Sequence, residues 1–188
     1  APYGIAMVEA DIAAQPGTAE RKVCIVDSGY SLGHEDLPIS GVDGTNDSGT
    51  GDWFTDENHH GTHVAGTIAG LANTVGVVGV MPNANIDLHI VKVFSADGWA
   101  YSSTLVAAVQ KCEDNGADVV SMSLGGSFKS RTEDRAFRDF NNRGMLSIAA
   151  AGNDGNTRNS YPASYGSVVS VAAIDDQQVV ADFSQQNS

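Results

Sequence analysis

The sequence predicts an α/β fold, a mostly parallel sheet with helices on both of its faces. Three observations lead there. Short apolar runs rich in β-branched residues recur along the chain, amphipathic helical stretches with start and stop signals lie between them, and the two kinds of segment alternate. The first run, Lys22–Asp27, reads K-V-C-I-V-D and breaks into Asp-Ser-Gly, the pattern of a buried strand running into a turn. Residues 86–93, Val119–Met122, 145–150 and 168–173 have the same short, mostly apolar character that buried parallel strands show.

Between these strands, residues 102–115 place Leu105, Val106, Val109 and Cys112 on one helical stripe, with Ser at the start and Gly116 just past the end. Residues 130–143 repeat the pattern with Ala136, Phe137 and Phe140, and Gly144 as the stop. The small residues Gly61, Thr62, Ala65, Gly66 and Ala69 predict a further helix, starting near His60 and packed closely into the interior. Gly, Asp, Asn, Ser and Thr dominate residues 34–59, which read as a long surface loop. Ligands of open α/β sheets bind beyond the carboxyl ends of the strands, and Asp27 stands at such an end. No repeat, low-complexity tract or domain boundary is visible.

Composition narrows the function classes. With 188 residues, 41% hydrophobic and 18% charged, the chain is of ordinary globular type rather than disordered or fibrous. Ten basic against twenty-three acidic residues give a formal charge of -13, the wrong sign for holding phosphate backbones, so nucleic acid is excluded as a partner. No apolar run approaches the roughly 20 residues that span a bilayer, and no membrane partner is expected. The opening Ala1-Pro2-Tyr3-Gly4 has no initiator Met, basic region or apolar export core, which predicts a processed, exported chain. Cys24 and Cys112 are the only cysteines, and the sequence leaves open whether they form a disulfide or two buried thiols.

Three local patterns carry chemistry: Val26-Asp27-Ser28-Gly29, His60-Gly61-Thr62-His63 continuing into Val64-Ala65-Gly66-Thr67, and Ala149-Ala150-Ala151-Gly152-Asn153. Each is weak alone, since a strand-end Asp is often a cap and an Asn after Gly is often a turn former. His60 and His63 lack the four-residue spacing and intervening Glu of a helical zinc site. A helix-borne His facing a strand-end Asp is instead what a catalytic base and its orienting acid require.

In order and wording, these patterns resemble the subtilisin-like serine proteases, the subtilases. The likeness runs from Pro2-Tyr3-Gly4 through Ser121-Met122-Ser123-Leu124-Gly125-Gly126 and Tyr161-Pro162-Ala163-Ser164-Tyr165 to Phe183-Ser184. Val26-Asp27-Ser28-Gly29-Tyr30 and Gly79-Val80-Met81-Pro82-Asn83 are similar to extracellular proteases of marine bacteria. The resemblance implies a secreted endopeptidase acting on protein or peptide substrates, with Asp27 as the acid, His60 as the general base and Asn153 as the oxyanion donor, His63 being structural. It further implies that Gly98, Trp99 and Ala100, with Ser123, Leu124 and Gly125, pair an extended substrate through main-chain hydrogen bonds. Ala149, Ala150 and Gly152, with Gly125, would line a roomy P1 pocket for large apolar or uncharged side chains. A Ca²⁺ site is implied in which Asp36 and Asn73 bind through side chains and Leu71, Val75 and Val77 through carbonyls, an oxygen-only set suited to that ion. Fewer residues precede Pro2-Tyr3-Gly4 than in familiar members, so one ligand usually supplied there is expected to be absent. A second, weaker cation position falls at the Ala163, Tyr165 and Val168 carbonyls, and Asp43, Asp47 and Asp52 read as a solvated loop.

The family's nucleophile sits in a Gly-Thr-Ser-Met-Ala-type motif, and none occurs here: Gly61-Thr62 is followed by His, and Ser28, Ser123, Ser127 and Ser184 stand in other contexts. Residues 1–188 are therefore expected to be the N-terminal portion of a single catalytic domain, incomplete at its C-terminus, with the remaining C-terminal segment as the partner that carries the serine. The alternative is a catalytically inactive, subtilase-like peptide-binding module. Retention of Asp27, His60 and Asn153 together argues against it.

Overall fold

Alternation of faces along β1 (Lys22–Asp27) organises the first half of the molecule, because successive side chains of a strand point to opposite sides. The computed structural model describes residues 2–13, 17, 19–83 and 85–187; Ala1, where the expectation of a processed start begins, lies outside them. Two compact units emerge, Ala1–Ala117 and Asp118–Ser188, a division that the sequence did not signal.

In the first unit, β1, β2 (Val42–Thr45) and β3 (Asp87–Lys92) form a parallel ladder in the order β2-β3-β1. Helix α2 (His60–Ala69) packs on β1, while α3 (Leu105–Asp114) packs on both β3 and β1. Cys24 is bonded to Cys112 of α3, and Asp27 touches His60 of α2. Cys24 and Asp27 stand three positions apart along the strand, so the two helices cover opposite faces of it. The disulfide closes a sequence separation of 88 residues and settles the alternatives that the sequence left open. Near the N-terminus lies the short helix α1 (Tyr3–Met7), and a two-stranded antiparallel hairpin, β4 (Phe94–Ser95) with β5 (Gly98–Trp99), follows β3. Neither was anticipated.

The second unit repeats the scheme with β6 (Val119–Met122), β7 (Leu146–Ala150) and β8 (Val168–Val171), parallel in that order, and α4 (Arg131–Asn142) packed on β7. Ser130 caps α4 by accepting the Glu133 N–H at 3.3 Å, Glu133 and Asp134 complement the dipole in its first turn, and Phe137 and Phe140 are its buried side chains. Burying two such rings contributes on the order of 1.5–3 kcal/mol each. On one side of this ladder Ser147, Ala149 and Val168 are buried; on the other, Leu146, Val169 and Val171 are 40%, 45% and 50% exposed.

The expected α/β class holds, with three local corrections. Strand limits are tighter than the apolar runs suggested, Asp87–Lys92 within 86–93, Leu146–Ala150 within 145–150 and Val168–Val171 within 168–173. Helix α3 starts at Leu105 because Thr104, not a preceding Ser, caps it by accepting the Ala107 N–H at 3.2 Å. Residues 34–59 are not all loop, since β2 lies within them. Its Val-Asp-Gly-Thr sequence has poor strand propensity, but a Cβ at Gly44 would run into the Trp53 ring, so glycine is what lets this strand lie close beside that ring.

Because the disulfide ties β1 to α3 across a long loop, replacing Cys24 and Cys112 together by Ser lowers the unfolding free energy by about 2–5 kcal/mol. Urea melts of the two forms check this; coincident transitions would show that the crosslink adds nothing to stability.

Candidate active site

Asp27 ends β1 and His60 begins α2, which brings together two residues 33 apart in sequence. His60 Nδ1 lies 2.7 Å from Asp27 Oδ1, the aspartate being 1% and the histidine 53% exposed. A carboxylate can only accept, so Nδ1 carries the proton and Nε2 keeps its lone pair facing outward, the tautomer a general base needs. The Ser28 N–H donates to the same Asp27 oxygen at 2.7 Å, while Oδ2 is buried with no partner among the described residues.

The approach of helix to strand depends on small residues and one carboxylate. Gly61 has no room for a Cβ, which would strike the Gly29 carbonyl. Ser28 Oγ accepts the Gly61 N–H at 2.8 Å and donates to Asp56 Oδ1 at 2.8 Å, which commits this hydroxyl and removes it as a nucleophile. Asp56 also accepts the N–H groups of His59 and Thr62 at 2.9 Å each and the Thr62 hydroxyl at 2.5 Å, satisfying two of the open backbone donors at the start of α2. Burial pushes its carboxyl up, yet these hydrogen bonds outweigh that and hold it below the usual carboxylate range. His59 caps the helix in the left-handed region at φ 69°. A small cavity of about 160 Å³ beside His60 is walled by Asp27, Asn58 and Phe94.

Of the expected substrate segments, Gly98 and Trp99 form β5, with Trp99 45% exposed and set edge-on against Phe94 and Tyr101; the Ala100 N–H donates to Val93 O at 3.0 Å. In the second unit, Ser123, Leu124, Gly125, Ala150, Gly152 and Asn153 line one cavity of about 350 Å³ together with Ser160 and Gln185. Ala149 is buried in β7 and is not on that wall.

Around Asp36 the expected cation ligands converge in part. Asp36 is buried, its Oδ2 accepts the Val77 N–H at 2.7 Å, its carbonyl accepts the Leu71 N–H at 3.0 Å, and its Oδ1 has no partner among the described residues. Asn73 Oδ1 accepts the Val75 N–H at 2.8 Å, and a Cβ at Gly76 would overlap the Asp36 carboxylate. An orphaned carboxylate oxygen inside a loop wrapped on it fits a hard cation. Among the described residues no three His, Cys, Asp or Glu side chains gather as metal ligands, so any such ion would depend on one carboxylate and neutral oxygens.

The acidic residues read as a solvated loop have specific partners. Asp43 accepts from His89 Nδ1 at 2.7 Å, Asp52 accepts from Asn46 Nδ2 at 3.0 Å, and Asp47 accepts the Ser102 hydroxyl and the Gly49 N–H. Sequence reading also missed Asp56, Glu57, Asn58, Lys92 and Phe94 around the Asp27–His60 pair. Asp56 and Glu57 carried a signal, acidic residues just ahead of a helix start.

Residues 18–188 match the model of the subtilase family. The chain is 40% identical over 189 residues to Subtilisin DY of Bacillus licheniformis, which covers 97% of this chain and 68% of that one. It is also 40% identical over 190 residues to Subtilisin BL of Lederbergia lenta, covering 98% and 67%. Among solved structures it superposes on the psychrophilic subtilisin-like protease Apa1 from the Antarctic psychrotroph Pseudoalteromonas sp. AS-11 with a TM-score of 0.95 and 53% identity, covering 99% of this chain and 43% of that chain. The chain belongs to the subtilase family of serine peptidases.

The depressed Asp56 carboxyl makes a pH prediction. A group whose folded pKa lies below its unfolded one contributes stability above the unfolded value and loses it as pH falls through the folded value. Asp56→Asn therefore flattens the fall in melting temperature between about pH 5 and pH 3, and a curve that keeps its acid slope would show that the carboxylate adds nothing there.

Proposed function

We propose that the chain supplies the acid, the base and one oxyanion donor of an exported serine endopeptidase. The contact between buried Asp27 and His60 carries the reading. His60 Nε2 takes the proton of a serine hydroxyl as that oxygen attacks the scissile carbonyl, Asp27 stabilises the imidazolium so formed, and the proton then passes to the leaving amine. The Asn153 side-chain amide donates to the oxyanion, where a preorganised dipole stabilises developing charge. Residues 98–100 and 123–125 take the substrate main chain, and the cavity of about 350 Å³ beside Asn153 has room for a large uncharged P1 side chain.

The serine belongs, in this reading, to further chain of the same enzyme. Support comes from the lack of a Gly-Thr-Ser-Met-Ala motif and from two apolar surfaces, one in each unit. One is a groove of about 640 Å³ beside α2, walled by Ile5, Val8, Gly66, Val77 and Val80 among others. The other is the open face of β7 and β8 with Leu146, Val169 and Val171. Export is supported by the Cys24–Cys112 disulfide, a bond that persists in oxidising compartments, and among the described residues no helix is long and apolar enough to cross a membrane. Ca²⁺ is assigned to Asp36, Asn73 and the Leu71, Val75 and Val77 carbonyls, where it contributes stability rather than chemistry.

In the complete enzyme, Asn153→Ala lowers kcat by about 10²–10³ with little change in KM, the loss expected when a donor acts only in the transition state. Peptide hydrolysis blocked by a serine-directed phosphonate is the expected activity. Phosphonate-sensitive turnover by residues 1–188 alone would place the nucleophile within them and overturn the assignment of the serine elsewhere. Chelation lowers the melting temperature of the enzyme, because an ion bound only by the folded state stabilises it by mass action. Asp36→Ala removes that dependence, and equal melting curves with calcium and with chelator would remove the site.

A further inference from the structure

Lys92 is wholly buried at the end of β3, directly opposite Asp27 in the parallel register. The Val93 N–H donates to Asp27 O at 2.7 Å, so the two strand ends are tied at this point. A buried ammonium is costly unless all its donors are matched. Here they are: Nζ donates to Thr55 O at 3.0 Å, Thr55 Oγ1 at 3.1 Å and Glu57 Oε2 at 2.6 Å. Glu57 itself is 55% exposed, and the hydrogen bond from Lys92 is the main reason its carboxyl lies below the usual range.

The residue between those two anchors is Asp56, whose carboxylate gathers the N-terminus of α2 and the Ser28 hydroxyl. A closed ring of contacts results. It runs from Asp27 across the strand pair to Lys92, through Glu57 and Thr55 to Asp56, into the first turn of α2, and back through His60 to Asp27. The segment 55–57 has no regular secondary structure of its own. Without the lysine, the stretch leading to Asp56 would keep its local bonds from the Thr55 N–H and hydroxyl to Asp52 O, at 3.4 and 3.1 Å, but lose its tie to the end of β3.

We propose that Lys92, acting through Glu57, is a positioning residue that fixes His60 against Asp27. The proposal rests on the function proposed above. Neither side chain touches reacting atoms; the pair determines where the base stands, and displacement of a catalytic group by about 1 Å costs up to about 10²-fold in rate.

The test uses the complete enzyme with Glu57→Gln, Lys92→Met and the double variant. Glu57→Gln is expected to lower kcat on a chromogenic peptide at least about 10-fold, with KM changed by less than about twofold. The double variant is expected to lose no more than the single ones, as two halves of one contact do. A second readout needs no turnover: the His60 Nδ1 proton, held by Asp27, gives a far-downfield proton resonance in the unsubstituted enzyme that Glu57→Gln broadens or shifts. Should Lys92→Met fail to fold, the exposed Glu57 position decides alone. Wild-type kcat in Glu57→Gln, a loss carried by KM, or an unmoved resonance overturns the proposal, whatever happens to the melting temperature. An unsubstituted enzyme without peptidase activity would defeat the function proposed above, while the resonance would still judge the positioning claim.

Discussion

A carboxylate at 1% exposure must find donors or leave its charge uncompensated, and Asp27 finds two, the Ser28 N–H and His60 Nδ1. Much of the first unit is arranged around that requirement. The strand β1 delivers the aspartate at its end, and the turn that follows is narrow enough for Ser28 to fold its own N–H back. Gly61 removes the side chain that would keep helix and turn apart, and Gly29 removes one that would strike the Thr55 carbonyl. The helix then presents its first residue rather than an interior one, which leaves the far nitrogen of the imidazole open to solvent. A deeper histidine would satisfy Asp27 equally well and could do no chemistry.

The framework that delivers these groups was legible in the sequence where its causes are local. Apolar runs gave the strands, Ser130 and Gly144 marked the ends of α4, and Asp27, His60 and Asn153 stood inside short motifs whose neighbours are themselves constrained. What could not be read depends on pairing across the chain. Lys92 meets Glu57 at a separation of 35 residues and His89 meets Asp43 at 46, and in sequence each is an unremarkable charged or titratable residue. Strand β2 was missed for a related reason, since its Gly and Asp argue against a strand and only the fit beneath Trp53 and the pairing to β3 make it one. Cysteine spacing was equally mute; it took the opposite-face arrangement of α2 and α3 to bring Cys112 over Cys24.

Two basic side chains of β3, Lys92 and His89, are buried. Lys92 is matched to a carboxylate at the surface, so its cost is offset at the boundary with water. His89 is 2% exposed and sits between Asp43, 62% exposed, and the Thr45 hydroxyl. In both cases an interior basic side chain is tied to an acidic residue of the stretch 42–57, so the loop-like acidic segment serves as the counterpart of the interior rather than as a coat.

The His89 arrangement has a consequence for the rim of the sheet. Nδ1 of His89 donates to Asp43 and its Nε2 pairs with the Thr45 hydroxyl, so one side chain of β3 holds two residues of β2. Both of its ring nitrogens are thereby matched. The outermost strand of the ladder, β2, is the place where a sheet is most exposed to pairing with foreign chains, and this histidine adds a side-chain fastening to its main-chain pairing with β3. That second hold keeps the border closed against strand exchange.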